Sequence, residues 1–198
     1  MQNRDDLIAG DIIRGFKVGR FLPEVEIYEK LITAMQARGY REANWETAGV
    51  DEAQDTFFIF PYDWRRDNVE NARLLIRRIE LFKSRIKKPT LKFNVMAHSM
   101  GGLIARYAAM YGNRDIPEGR LSPDWQGGRH FDRIFLLGTP NEGSTDALST
   151  LLNGFSYVGG PVNLPFVRDL NRFDVFTIPS IYQLLPHEKS VRAYDENL

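Results

Sequence analysis

The stretch Asn94-Val95-Met96-Ala97-His98-Ser99-Met100-Gly101-Gly102 limits the fold more than any other part of the chain. An apolar run enters it from Leu91, a helical pattern leaves it through Leu103 to Tyr111, and a serine between small residues sits at the junction. In a sharp strand-to-helix turn the serine is strained, and the side chains two positions to either side must stay small. Ala97 and Gly101 meet that need; the usual form has glycine at both places, so Ala97 departs from it by one methyl group. Gly102 adds room for helix and strand to approach closely. Such a turn lifts the Ser99 hydroxyl above the carboxyl end of a sheet. It also aims the Met100 backbone N–H into the same space, where the helix N-terminus favours negative charge. Ser99 is therefore the candidate nucleophile and Met100 N–H a candidate oxyanion donor, a group worth about 3 to 4 kcal/mol of transition-state stabilisation. A plain helix N-cap uses the same residue types, and the position between a strand and a helix separates the two readings. His98 points a different way at such a turn and lines it rather than acting as its base.

Around this junction helical and strand patterns alternate. Val25, Tyr28, Leu31, Ile32 and Met35 recur at helical spacing, with Pro23 and Glu24 suited to a first turn, Arg38 to a last one and Gly39 to a stop. Phe57-Phe58-Ile59-Phe60 reads as a buried strand. Asp67 and Glu70 predict a capping box for a long helix whose apolar stripe is Val69, Ala72, Ile76, Ile79, Phe82 and Ile86, ended by Pro89. Arg73, Arg77, Lys83 and Lys87 fall off that stripe and read as a solvated outer face. Leu91 to Ala97 is the next strand, and after a polar loop from Gly112 to His130, Arg133 to Leu137 is a third, stopped by Gly138-Thr139-Pro140. Strands separated by helices of this length predict parallel pairing with right-handed crossovers, hence an α/β layered domain. From Gly143 to Pro186 the chain mixes Gly, Pro, Asn and aromatics with short apolar groups, which predicts short helices and loops over one end of the sheet. Residues 1–142 are thus expected to form the core and 143–198 a cap-like or lid-like segment of the same domain.

Composition narrows the function classes. The chain of 198 residues is long enough to bury a sizeable core. Its 26 Lys and Arg balance 26 Asp and Glu, which gives no support for a nucleic-acid or anionic-membrane partner. No apolar run reaches the roughly 18 residues of a membrane span, and residues 1–6 lack the apolar centre of a secretory signal, so the expectation is a soluble chain, cytoplasmic or otherwise. With no cysteine there is neither a disulfide nor a thiolate metal site. His98, His130 and His187 are the only histidines.

Four segments then occur in order: Phe60-Pro61-Tyr62-Asp63-Trp64-Arg65, Ala97 to Gly102, Gly138-Thr139-Pro140-Asn141-Glu142-Gly143-Ser144, and Pro179-Ser180-Ile181-Tyr182-Gln183-Leu184-Leu185-Pro186. Together they resemble the lecithin:cholesterol acyltransferase-like family of α/β-hydrolases, which includes acyltransferases, phospholipases and bacterial esterase or lipase relatives. The likeness covers nearly the whole chain. It implies an α/β-hydrolase-like parallel sheet with flanking helices, and acyl transfer or hydrolysis of a lipid-like ester through an acyl-Ser99 intermediate, with Met100 supplying one oxyanion N–H. It implies neither cofactor nor metal, an ester-lipid substrate and transient contact with a lipid surface. Tyr62 to Arg65 resembles the stretch that leaves a strand near the active site, where a turn or structural salt bridge is expected. Gly138 to Ser144 resembles the strand end beside the pocket, and the part beyond it the cap that shapes a lipid site.

The departures set the remaining expectations. Family members carry an oxyanion-loop signature upstream of the region matched by Asp11 to Gly15, and the acid and histidine of the triad after the segment matched by Pro179 to Pro186. This chain resembles the middle of that pattern. Within it, Ser99, then Asp169 or Asp174, then His187 satisfies the hydrolase order. Order is not geometry: neither aspartate follows a strand-like run, and His187 directly follows the Leu-Leu-Pro motif, where the family keeps no catalytic histidine. His130 reads as a loop residue, and the acid and base stay unassigned. In the hydrolase sheet a first strand lies between the Phe57 to Phe60 and Leu91 to Ala97 strands. Without it both would keep edges with unpaired N–H and C=O groups, so a complementary chain or further segments are expected. Two alternatives remain beside the lipid-ester enzyme: a general carboxylesterase, and a non-catalytic hydrolase-like module that keeps the elbow as architecture.

Overall fold

A computed structural model describes residues 7–12, 14–17, 24–26, 28–49, 55–116, 118–119, 121–155 and 169–187. In chain order the elements are β1 (Gly15–Lys17), β2 (Glu24–Glu26), α1 (Glu29–Gln36), β3 (Arg41–Ala43), β4 (Thr56–Phe58), α2 (Asn68–Arg85), β5 (Phe93–His98), α3 (Met100–Tyr111), β6 (Phe131–Leu137), α4 (Thr145–Asn153), α5 (Arg172–Val175) and α6 (Pro179–Gln183). They divide into two compact units, one of Met1–Asp5, Trp64–Ile76 and Lys92–Leu198, the other of Asp6–Asp63 and Arg77–Leu91. The mixture of helices with small parallel sheets is that of an α/β protein.

The unit without Ser99 holds two strand pairs. β1 and β2 pair antiparallel, with Phe16 opposite Val25. The helix expected from Val25 onward therefore starts only at Glu29, because a β-branched residue accepts either backbone and here the β1 ladder takes it. Pro23 lies outside the described residues. β3 pairs parallel with β4, which stops at Phe58 instead of running to Phe60. Beyond that point the Ile59 carbonyl accepts from the Trp45 indole N–H at 2.7 Å and leaves the ladder. Trp45, Phe58 and Phe82 form an aromatic cluster, with the Phe58 and Phe82 rings meeting edge to face at 4.8 Å.

Helix α2 buries the stripe read from its spacing: Ala72, Ile76, Ile79 and Phe82 are all inside. The Asp67 carboxylate opens it by accepting from the Val69 N–H at 2.7 Å. Its cationic face is not wholly solvated as expected. Lys83 is only 5 % exposed, and Arg73 is half-buried and paired with Asp115, while Arg77 and Lys87 are exposed.

In the unit that carries Ser99, β5 and β6 run parallel from Phe93 beside Phe131 to His98 beside Leu137. Helix α3 packs against both strands and buries Ile104, Ala105, Ala108 and Ala109. The segment expected as a polar loop ends in a 3-10 turn, Gln126–His130, whose His130 is buried. That turn lies against α3 because Gly127 has no side chain: a Cβ there would stand 1.7 Å from the Ala108 carbonyl oxygen. The last helices gather Ala147, Leu151, Val175, Ile178 and Ile181 into a second core, with Trp64 packed on it. Asp67 and the start of α2 join this core through Gln183, which accepts from the Asn68 N–H at 2.8 Å and donates to the Asp67 carboxylate at 2.8 Å.

The glycine contacts give a paired test. Gly127→Ala forces backbone apart and is expected to lower unfolding free energy by about 1 to 3 kcal/mol in urea titration, as overpacking does. At Gly128, where an added Cβ meets nothing nearer than 4.0 Å, alanine is expected to change stability by less than about 0.5 kcal/mol.

Candidate active site

The β5–β6 ladder delivers Ser99 to its place. One residue past the last ladder pair, the Ser99 N–H donates to the Leu137 carbonyl at 2.9 Å, so the neighbouring strand holds the turn. Gly102 N–H then donates to the Ser99 carbonyl at 3.0 Å and closes the first turn of α3. Between these bonds the Ser99 backbone takes φ 52° and ψ −130°. An L-residue with positive φ costs on the order of 1–3 kcal/mol and persists only where its surroundings impose it. A capping serine sits in extended conformation and spends its hydroxyl on a helical N–H. Ser99 does neither, since its side chain makes no capping bond. Its conformation matches the strained strand-to-helix turn of the hydrolase nucleophile elbow.

The small neighbours have visible reasons. Ala97 is buried behind the turn, and a Cβ on Gly102 would lie 1.9 Å from the Thr139 hydroxyl oxygen. Thr139 belongs to the segment after β6, which thus lies directly against the first turn of α3. Met100 is the first residue of α3, so its N–H is among those a helix start leaves without an intrahelical acceptor. His98 ends β5 with an exposed side chain.

Two further motif segments fasten to one another at this end of the strands. Gly138 and Gly143 take φ of 57° and 87°, and Gly143 lies so close to Pro186 that a Cβ would be 2.5 Å from the proline Cα. Ser144 N–H donates to the Leu184 carbonyl at 2.8 Å, while the Ser144 hydroxyl caps α4 by accepting from Asp146 N–H. Arg106 reaches from α3 to the Asn141 side chain.

The structure does not join Asp169 or Asp174, the in-chain residues that satisfy the hydrolase order, to His187. The Asp174 carboxylate accepts from Asn171 N–H as one half of the α5 capping box, and Asp169 is an exposed residue beside the Phe155–Leu170 bridge. His187 instead pairs through Nε2 with the Glu142 carboxylate at 2.6 Å. Glu142 was not singled out from the sequence because 45 positions separate it from His187; the signal was its place in the Gly138 to Ser144 segment. Among the described residues the Ser99 hydroxyl bonds to no histidine or carboxylate. Among them too, no group of three or more His, Asp or Glu side chains gathers that could hold a metal ion, and no helix is long and apolar enough to cross a membrane.

Parallel strand pairs joined to helices place the chain among α/β proteins. The lecithin:cholesterol acyltransferase family model matches residues 14–195, and the chain belongs to that family. It is 29 % identical over 190 residues to lecithin-cholesterol acyltransferase-like 4 of Arabidopsis thaliana, a match covering 93 % of this chain and 30 % of that protein. The chain thus spans about a third of the length of that relative. No solved structure matches it.

Tyr62, in the first motif segment, provides a pH test. Burial pushes its phenol from 10.0 up to about 12, and the nearby Tyr28 phenol adds to the rise. A phenol neutral in the folded chain but ionised in the unfolded one contributes stability fully below pH about 10, and that contribution is lost as pH rises toward 12. Tyr62→Phe is therefore expected to lose about 1 to 2 kcal/mol less than wild type between pH 9 and pH 12, read from denaturant midpoints.

Proposed function

We propose that Ser99 is the acyl-accepting nucleophile of an enzyme that transfers an acyl group from an ester lipid to water or an alcohol. The observation that carries this is the positive φ at Ser99, held by the Leu137 bond and the Gly102–Thr139 approach, with the hydroxyl left unspent on the helix. The family supports the substrate class.

The Ser99 oxygen attacks the ester carbonyl carbon while a histidine base takes its proton, and the Met100 N–H stabilises the negative oxygen that forms. The carbon–oxygen bond to the leaving alcohol breaks as that alcohol takes the proton back. Water or an acceptor alcohol then attacks the acyl-serine carbonyl and gives up a proton to the same base, and the bond to the Ser99 oxygen breaks as that oxygen takes the proton from the base. His187 and Glu142 form a histidine–carboxylate pair within the chain. In the described arrangement it makes no hydrogen bond to Ser99, so proton transfer requires either that pair to move or a further segment to supply the base. Residues 143–198 act in this reading as the cap over the lipid site.

A fluorophosphonate probe is expected to label the folded protein at Ser99, and Ser99→Ala to remove both the label and ester hydrolysis, on the order of a million-fold in turnover. An unlabelled Ser99 in folded protein supplied with its complementary segments would overturn the proposal. Hydrolysis of long-chain esters in preference to short ones separates the lipid enzyme from a general carboxylesterase. The unengaged hydroxyl favours one second reading, a module that keeps the elbow as architecture. In that case Ser99→Ala leaves every cellular effect of the protein intact.

A further inference from the structure

Residues from the second half of α3 and from β6 line a cleft of about 360 Å³. Ala109, Met110, Ile134 and Leu136 give it an apolar lining, Trp125 and Arg106 stand on it, and no carboxylate is among the described residues that line it. Trp125 takes φ 56° and ψ 24°, a left-handed backbone that costs a bulky residue about 1 to 2 kcal/mol. Two bonds hold it there: its N–H donates to the Met110 carbonyl at 2.9 Å, and its carbonyl accepts from Gly128 N–H at 2.9 Å. That strained backbone sets the indole at the cleft and not in a core. The residue is 62 % exposed, and among the described residues its indole N–H has no hydrogen-bond partner. Arg106 is exposed too. It donates to the Asn141 side-chain oxygen and meets no carboxylate among the described residues. Asp124, beside Trp125 in sequence, has its carboxylate on Arg114 at 2.7 Å and so leaves the Arg106 charge in place.

We propose that this cleft binds a small organic carboxylate with an apolar body, the body against Met110, Ile134, Leu136 and the Trp125 indole and the carboxylate on Arg106. Apolar walls with one convergent charged group are the usual make-up of a small-ligand site. The volume of about 360 Å³ lies at the low end of the roughly 300 to 1,000 Å³ of such sites, which suits one fused ring system or a short chain. A guanidinium carries five N–H donors, so Arg106 can keep Asn141 and still take a carboxylate in bidentate fashion. With one cation in an otherwise apolar lining, a single negative charge is matched, whereas a doubly charged phosphate leaves one charge facing apolar walls. The cleft is separate from the nucleophile. From Ser99 to Ala109 helix α3 climbs about 15 Å, at about 1.5 Å per residue. The proposal therefore holds whether or not Ser99 reacts.

The test titrates the full chain with naphthoate and with the corresponding naphthalenemethanol, its neutral counterpart, while NMR follows the three indole N–H signals. Wild type is expected to bind the carboxylate saturably and the alcohol at least about tenfold more weakly, with the Trp125 signal shifting and those of Trp45 and Trp64 unmoved. Arg106→Gln keeps a donor for Asn141 and should unfold at the wild-type temperature, yet bind the two ligands within about twofold of each other. Trp125→Ala should weaken both by about tenfold. Folded Arg106→Gln protein that still prefers the carboxylate overturns the proposal, as does a Trp125 signal that naphthoate leaves unmoved in wild type. Naphthoate binding that disappears once a fluorophosphonate occupies Ser99 overturns it as well, because the ligand would then sit in the acyl site. So does a wild-type dimer in solution that Trp125→Ala dissociates, since the cleft would then hold a second copy.

Discussion

The hydrogen bond from the Ser99 N–H to the Leu137 carbonyl is the constraint on which the site depends. It continues the β5–β6 ladder by one residue beyond the strand, so the chain is still tied to its neighbour at the moment it must reverse into α3. A residue at φ 52° relaxes unless both sides of it are fixed. On one side the ladder fixes it. On the other, Gly102 bonds back to Ser99 and lies in contact with Thr139, which follows the strand that supplies the Leu137 carbonyl. Strand β6 therefore restrains the serine twice, once through backbone and once through the residue that crowds α3.

From that point the motif segments connect by contact. Thr139 touches Gly102, Gly143 touches Pro186, Ser144 bonds Leu184, Gln183 bonds Asp67 and Asn68, and Trp64 packs on the core formed by α4, α5 and α6. Each segment thus has a packing role that would exist without any reaction. Glycine at 102 and 143 is required by close approach, and at 143 also by a positive φ. The Gly138 to Ser144 and Pro179 to Pro186 segments thus have packing roles in the unit that carries Ser99, and in the proposed reading the chemistry falls to the serine and to the base that reaches it.

Long periodic patterns were legible in the sequence because burial enforces them. The α2 stripe, the β5–serine–α3 junction and the parallel partner β6 all follow from spacing alone. Short strands were not. β1, β2 and β3 have three residues each, too few for a period, and tertiary pairing decided that Val25 joined a ladder. Charge misled in a different way: Lys83 reads as surface from its type, yet it lies at a position that α2 buries. The site divides along the same line. Ser99 was readable because its neighbours in sequence are its neighbours in space. The pairing of Glu142 with His187 was not, because it depends on Gly143 meeting Pro186 across the fold.

The strands that hold the serine are themselves only partly enclosed. Among the described residues, β5 has one strand neighbour, β6, and β4 has one, β3. The register sets Met96 beside Phe135 and His98 beside Leu137 on one face of the β5–β6 pair, and all four side chains are exposed there. The opposite face, with Ala97 beside Leu136 and Val95 beside Ile134, is the one α3 covers. Parallel strands are ordinarily enclosed on both faces, because their crossover helices lie there. Among the described residues the strained serine is braced by one helix and one partner strand. Among the described residues the stiffness that presents its hydroxyl comes from that helix and that strand, and a partner that covers the Met96 and Phe135 face would stiffen the elbow directly.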